Sequence, residues 1–293
     1  MRLFLWVVTL CVFFSDGFVF AQTTSISSTD VSEGYFRTGH ALSMGGAFRG
    51  LADSAQSVLY NPAGMKQVEQ NLSTTANYTY ISSNSGHQYD ISAVDTATSE
   101  ALAYGVGYYQ SYPNVLGVEA KNRSLLLSMA YGKEKFFLGA SAKGYLVSVD
   151  HPTIEGPRGI DADVGLLFKP IDMISIGVVG YNLILGRSIE EYPLKLAGGL
   201  ALQLIPQAVL SFDMVKNFNT PAAKDLNFYF GGRYLIQDKV YISGGFAMDQ
   251  VLENNYYTAG LGVKAKQAEV FLTFSQTIDV PSEIYALGLS YFM

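Results

Sequence analysis

The sequence predicts an all-β fold: a transmembrane antiparallel β-barrel of about fourteen strands with a short N-terminal plug containing helical turns. Three observations point there. Charged residues make up only 15% of the chain while aromatics reach 13%, against about 25% charged in a soluble domain. Beyond residue 21, no uninterrupted apolar run approaches the roughly 18 residues that mark a spanning helix. From Leu72 onward apolar residues instead fall on alternate positions, the period of a strand with one face in lipid.

The beginning of the chain reads as an export signal. Arg2 supplies the positive start, Leu3 to Phe14 is almost wholly apolar, and Val19-Phe20-Ala21 places cleavage after Ala21. An anchoring helix is the alternative, but the apolar core falls short of the roughly 20 residues a span needs. Leu10 precedes Cys11 without the small pair of a lipoprotein signal. Cleavage would remove the only cysteine, excluding disulfides and thiolate metal sites. The histidines His40, His87 and His151 show no metal-ligand spacing, so neither metal nor cofactor is expected. A net charge of −6 with no basic run argues against nucleic acid as a partner. The expected organisation is a signal peptide over 1–21, an N-terminal extension and luminal plug over 22–70, and an outer-membrane barrel over 71–293.

Alternation assigns the two faces of the wall. One parity reads Leu127, Met129, Tyr131; Phe136, Leu138, Ala140; Leu210, Phe212, Met214; Val270, Leu272, Phe274; and Tyr285, Leu287, Leu289, Tyr291. The other carries Lys143, Asp161, Asp163, Lys195, Asp213, Arg233 and Glu269 amid Gly, Ala and Ser, and these are the predicted lumen charges. A soluble sandwich also alternates, but its second face would meet water and crowd with Lys and Glu. Here that face is dominated by small residues, as if it bounded a filled or narrow interior.

The predicted strands are 72–82, 88–94, 101–110, 122–131, 135–149, 159–168, 173–183, 192–204, 207–216, 225–235, 239–247, 256–264, 268–276 and 284–293. Short connections such as Ile205-Pro206 and Gln237-Asp238 alternate with longer ones such as Asn217 to Lys224. Outer-membrane barrels have short periplasmic turns and longer external loops, so both ends of this barrel are placed in the periplasm. An open edge in hydrocarbon would strand N–H and C=O groups, so the last strand, through Tyr291-Phe292-Met293, must zip to the first. Tyr108, Tyr131, Tyr145, Tyr234, Tyr257 and Tyr291 lie near strand ends and would suit interfacial girdles.

Residues 22–70 do not alternate. Gln22 to Glu33 is rich in Ser and Thr, and Gly39 to Met65 is small, Gly-rich and mildly apolar. Gly45-Gly46 permits a tight bend or a close backbone approach. Asp53 is a candidate N-cap for a short helix through Leu59. Asn61-Pro62 can cap a second helical turn with Pro at its first position, or form a simple turn. Such a segment would fit inside a barrel lined by Gly, Ala and Ser.

Three stretches together, Ala41-Leu42-Ser43-Met44-Gly45-Gly46-Ala47-Phe48, Leu51-Ala52-Asp53-Ser54-Ala55 and Tyr60-Asn61-Pro62-Ala63-Gly64-Met65, resemble the N-terminal signature of the FadL-like outer-membrane family. That family includes the long-chain fatty-acid transporter, aromatic-hydrocarbon channels and PorV-type proteins. The resemblance implies a fourteen-stranded barrel whose plug blocks the lumen, with a hydrophobic ligand leaving sideways through the wall. The external loops here are short, about 7 to 11 residues, which sets the chain nearer the compact members.

Other candidate chemistry is thin. Asp150-His151 is similar to the acid–His pairs of outer-membrane hydrolases, but adjacent strand residues face opposite ways and this pair sits in a loop beside Pro152. Glu190-Glu191 and Asp161/Asp163 could be paired acids for glycoside chemistry or a divalent-cation site. The simpler expectation for Asp161 and Asp163 is ion pairing with Lys143, Arg37 or Arg49. An enzyme is not expected. The leading expectation is a channel for passive uptake of small hydrophobic molecules, fatty acids or aromatic hydrocarbons, gated by Met44, Gly45, Gly46, Phe48, Asp53, Asn61, Pro62, Ala63 and Gly64. Its partners would be outer-membrane lipid, the hydrophobic ligand, and the barrel-assembly machinery during insertion. The alternative is a PorV-like barrel that binds or scaffolds secreted or surface proteins.

Overall fold

The computed structural model describes residues 38–82, 86–112, 114–115, 118–150, 156–184, 192–219, 225–250, 254–278 and 282–293. The proposed signal peptide, His151 and Glu190-Glu191 lie outside them.

The barrel strands are β1 (Leu72–Ile81), β2 (Gly86–Asp95), β3 (Leu102–Tyr112), β5 (Val118–Lys133), β6 (Phe136–Val149), β7 (Arg158–Ile171) and β8 (Ile174–Tyr181) in the first half. The second half holds β9 (Lys195–Ile205), β10 (Ala208–Asn217), β11 (Leu226–Ile236), β12 (Val240–Asp249), β13 (Asn254–Lys264), β14 (Ala268–Thr277) and β15 (Glu283–Phe292). A two-residue β4 (Asn114–Val115) pairs only with the start of β5. Each strand pairs antiparallel with its neighbours, β1 zips to β15 from Ser73↔Phe292 to Ile81↔Ile284, and β3 pairs with β5 across the small β4 hairpin. Fourteen strands therefore close with no open edge, as hydrocarbon requires.

The faces divide as alternation demands. Leu138, Leu166, Leu210, Leu272 and Leu289 are exposed on the outside, while Lys143, Asp163, Asp213 and Glu269 are buried inside. Tyr131, Tyr234 and Tyr291 stand exposed near the short-turn end and Tyr257 near the long-loop end. Tyr145 is a correction. It shares the inward parity of Lys143 and is buried, with its ring stacked on Tyr192 at 3.8 Å. Parity overrides proximity to a strand end. β5 also starts four residues before its predicted position, because the parity that is apolar from Leu125 onward carries Glu119 and Lys121 there, so the lipid-facing period gives no sign of the strand. At one short turn, Gln237 and Asp238 both take positive φ (49° and 56°), the primed hairpin conformation more usually filled by Asn-Gly.

The lumen is filled by the N-terminal segment. It runs through α1 (Gly39–Ser43), a reversal at Met44–Ala47, α2 (Ser57–Tyr60) and a 3-10 helix (Pro62–Gln67) before entering β1. Asn61 caps the 3-10 helix by accepting the Ala63 amide at 3.1 Å, with Pro62 at the first position. Asp53 is not the cap of α2, whose N-cap is Gln56. The carboxylate is drawn off to a wall arginine instead.

Candidate functional site

The interface between plug and wall gathers the predicted gate residues Met44, Gly45, Gly46, Phe48, Asp53, Asn61, Pro62 and Ala63, whereas Gly64 packs inside the plug. At its centre lies the buried Arg49. The Phe48 and Arg49 amides donate to Asp213 Oδ2 at 2.8 and 2.7 Å, and the Arg49 guanidinium reaches the same oxygen at 3.2 Å. Its Nε donates to the Tyr181 hydroxyl at 3.0 Å, which in turn donates to the Tyr60 carbonyl. The rings of Tyr60, Tyr181 and Tyr229 lie 5.3–5.8 Å from the guanidinium, within cation–π range. Burial pushes the Tyr60 phenol above its ordinary range, so it stays neutral beside that charge. Asn61 extends the network, donating to the Arg49 carbonyl at 2.9 Å and to the Leu166 carbonyl at 3.3 Å. One plug arginine thus ties β8, β10 and the plug's own second half together.

Glycines let the two backbones come this close. Gly45 (φ 67°) and Gly46 (φ 92°) make the reversal that no branched side chain would adopt. A Cβ on Gly45 would also lie 2.7 Å from the Phe230 carbonyl oxygen, and one on Gly50 2.7 Å from Gly199. The wall answers with inward glycines on successive strands. Side chains at Gly139, Gly165, Gly199 or Gly245 would collide with Ala63, Asn61, Gly50 or Gly45. Gly260 likewise faces Ser43 of the plug. The small-residue face is the imprint of a plug.

Apolar packing completes the seal. Met44, Phe48, Val58, Leu59, Ala63 and Met65 form one buried cluster with Val94, Ala103, Leu126, Leu167 and Val209 of the wall. Gly64 packs directly on Ala52, which itself holds a positive φ of 38°.

Nearer the short-turn end the plug makes a further ion pair and a His–carboxylate contact. Arg233 Nη2 reaches Asp53 Oδ2 at 2.6 Å, and His40 Nε2 lies 3.1 Å from Glu269 Oε1, with the His40 ring 4.2 Å from that of Phe271. All four border a polar cavity of about 150 Å³ shared with Ser73 and Lys264. At the opposite end Lys143 donates to both oxygens of Asp163 at 3.0 and 3.1 Å, the pairing expected for that acid. Asp163 also accepts from the Asn182 amide and Asp161 from the Ile184 amide, both at 2.9 Å, so these acids anchor the loop after β8. Lys195 is buried on the same inner face. The sequence placed these charges inward but could not show that Arg49 and Asp213 are partners 164 positions apart.

Outside, three open apolar dents mark the wall. One, of about 480 Å³, is lined by Leu200, Leu202, Leu210, Phe212, Phe230 and Phe246 with Gly231 and Gly245. There Gly231-Gly232 pairs with Gly245-Gly244, and the inner surface of Gly231 and Gly245 touches Met44 and Gly45 of the plug. Only backbone separates the dent from the plug.

These features define a plugged fourteen-stranded transmembrane β-barrel. The fold is shared with the CymD monoaromatic hydrocarbon channel (TM-score 0.66, 13% identity, 86% of this chain and 96% of that one). It is shared equally with the Ralstonia pickettii toluene transporter TbuX (0.66, 14%, 87% and 98%) and with the Pseudomonas putida toluene transporter TodX (0.60, 12%, 92% and 99%). No protein-family model and no curated protein matches the sequence. At such identities the likeness establishes the fold, which is the one the N-terminal signature implied.

Proposed function

We propose that this barrel is an outer-membrane channel for passive uptake of small hydrophobic molecules, with the N-terminal plug as its gate. The observation that carries the reading is the shared architecture: a barrel filled by its own N-terminal segment, similar over most of its length to channels for monoaromatic hydrocarbons. That likeness favours a ring-sized solute over a long acyl chain. The glycine dent between β11 and β12 supports a sideways route, because there the wall is one backbone layer thick with no side chain between plug and lipid, and passage would require the β11–β12 ladder to part at Gly231 and Gly245. In this reading the signal peptide is removed after Ala21, the short turns face the periplasm, and insertion uses the barrel-assembly machinery. Met44, Gly45, Gly46, Phe48, Asp53, Asn61, Pro62, Ala63 and Gly64 would together form the gate.

The test is uptake of toluene and of a long-chain fatty acid by a strain lacking the gene, with and without a plasmid copy. Slower toluene entry restored by the plasmid is expected; unchanged entry of both compounds removes the reading. One observation favours a scaffold role, the extent to which the buried Arg49–Asp213 ion pair and the His40–Glu269 contact lock plug to wall. A stoichiometric protein recovered with the barrel from mild detergent, together with unchanged uptake, would select that alternative.

A further inference from the structure

The outer surface of the wall is not equally charged all round. Among the described residues at the long-loop end of β8 to β15, the outward charged side chains are Lys216 and Glu283, and both are engaged. Lys216 lies 2.6 Å from Asp225, and Glu283 accepts from the Tyr285 hydroxyl at 2.6 Å. On β5 to β7 the same rim carries three cations. Lys121 and Arg123 continue the outward parity of Leu127 and Met129, and Arg158 continues that of Ile160. Arg123 and Arg158 flank Leu146 in one row across three strands, so their backbones are about 10 Å apart. Lys121 stands one outward position further along β5, about 7 Å from Arg123.

None of the three makes an ion pair among the described residues. Arg123 Nη2 donates to Ser148 Oγ at 3.2 Å, while its Nε is shielded from water and has no partner. Lys121 Nζ sits 5.3 Å from the Tyr112 ring centroid. Glu119 and Asp150 fall in the next row out, which leaves the cations between these acids and the apolar band. Beside the cations runs an aromatic platform. On the outward faces of β1 to β3, Tyr78, Tyr80, His87, Tyr89 and Tyr112 form a chain of rings with centroids 5.2–6.2 Å apart. Toward the middle of the wall lie Ile91, Leu127 and Ile160, exposed to lipid.

Unpaired cations at the level where acyl chains meet head groups call for an anionic lipid. Charge selects its class. A phosphodiester brings a single negative charge, whereas a phosphomonoester carries about −1.5 to −2 at pH 7. Two phosphomonoesters on one head group therefore balance three cations. Tyrosine rings beside them, apolar on the face and polar at the tip, suit the C–H faces of sugars. We propose that Lys121, Arg123 and Arg158 form a binding site for a doubly phosphorylated glycolipid of the outer leaflet. Its saccharide would lie against Tyr112 and Tyr89 and its acyl chains along Leu127 and Ile160. The site is independent of what the barrel transports, and its leaflet rests on the reading that the long loops are external.

The purified full-length protein in detergent is titrated with bis-phosphorylated lipid A and followed by native mass spectrometry. One lipid A per barrel is expected, with affinity reduced about tenfold or more when Lys121→Gln, Arg123→Gln and Arg158→Gln are combined. Lys133→Gln, at the short-turn end of β5, should bind as the parent does. Dephosphorylated lipid A and phosphatidylglycerol should bind the parent no better than lipid A binds the triple variant. Equal affinity of parent and triple variant, or equal affinity for phosphatidylglycerol, overturns the site. Displacement of lipid A by millimolar inorganic phosphate overturns the lipid assignment. If the triple variant does not fold, the exposed Arg158→Gln carries the test: a several-fold loss supports the site, and none overturns it. The leaflet is checked separately by labelling Asp150→Cys in intact cells with a membrane-impermeant maleimide. Labelling above the parent supports the outer leaflet, and its absence overturns that placement whatever the titration shows.

Discussion

Arg49 and Asp213 meet through both backbone and side chain: one carboxylate oxygen takes the Arg49 amide at 2.7 Å and its guanidinium at 3.2 Å. The side chains are 8% and 0% exposed. A charge this deep is tolerable only while its partner is present. Asp213→Ala is expected to destabilise the folded barrel by about 3–5 kcal/mol, the range for breaking a buried pair. Replacing both partners together, Arg49→Met with Asp213→Leu, should recover only part of that loss: no unpaired charge remains, but the Phe48 and Arg49 amides still lack their acceptor. Urea unfolding in detergent, read by gel mobility, measures both.

The inward glycines make a sharper positional claim. A methyl at Gly245 runs into the Met44–Gly45 backbone, which cannot rotate away as a side chain could. Gly245→Ala and Gly199→Ala should therefore loosen the plug at a cost of about 1–3 kcal/mol. Gly198→Ala, where a Cβ meets nothing within 4 Å, should stay within about 0.5 kcal/mol of the parent. Trypsin cleavage after Arg49 or Lys66 reports the plug directly. It should accelerate in the first two variants and remain unchanged in the third.

The pair Asp53–Arg233 is predicted to behave differently from Arg49–Asp213. Its side chains are 30% and 24% exposed and border the polar cavity, so solvent screens the attraction. Asp53→Asn should cost no more than about 1 kcal/mol. The difference between Asp53→Asn and the parent should shrink in 1 M salt, where the Debye length is about 3 Å. A loss as large as that of Asp213→Ala, or one insensitive to salt, would contradict this assignment.

Much of the wall was legible because lipid on one side enforces a strict period of two. Leu272 out and Glu269 in follow from position alone, and so does the inward turn of Tyr145, which its place near a strand end obscured. The abundance of inward glycine also announced a filled lumen. Partners across the interior were not legible, since nothing local links Arg49 to Asp213 or His40 to Glu269. Asp53 shows why: a residue suited to capping a helix was taken by Arg233, 180 positions away. Short-range propensity is worth about 1 kcal/mol at a cap, and a partly buried charge pair competes with it easily.

If solutes leave through the glycine-floored dent, filling it from outside should obstruct them without disturbing the plug. Leu210 lines the dent, faces outward and is 49% exposed, so an indole placed there has lipid, not core, to displace. Leu210→Trp is expected to fold normally, because lipid-facing apolar exchanges leave the inner packing untouched. It should nevertheless slow toluene entry several-fold in whole cells. Leu289→Trp, equally exposed on β15 and away from the dent, supplies the control for a new indole in the wall. Equal uptake by parent, Leu210→Trp and Leu289→Trp would place the exit elsewhere in the barrel. Slowed uptake in Leu210→Trp alone, with trypsin protection of Arg49 retained, would locate it between β11 and β12.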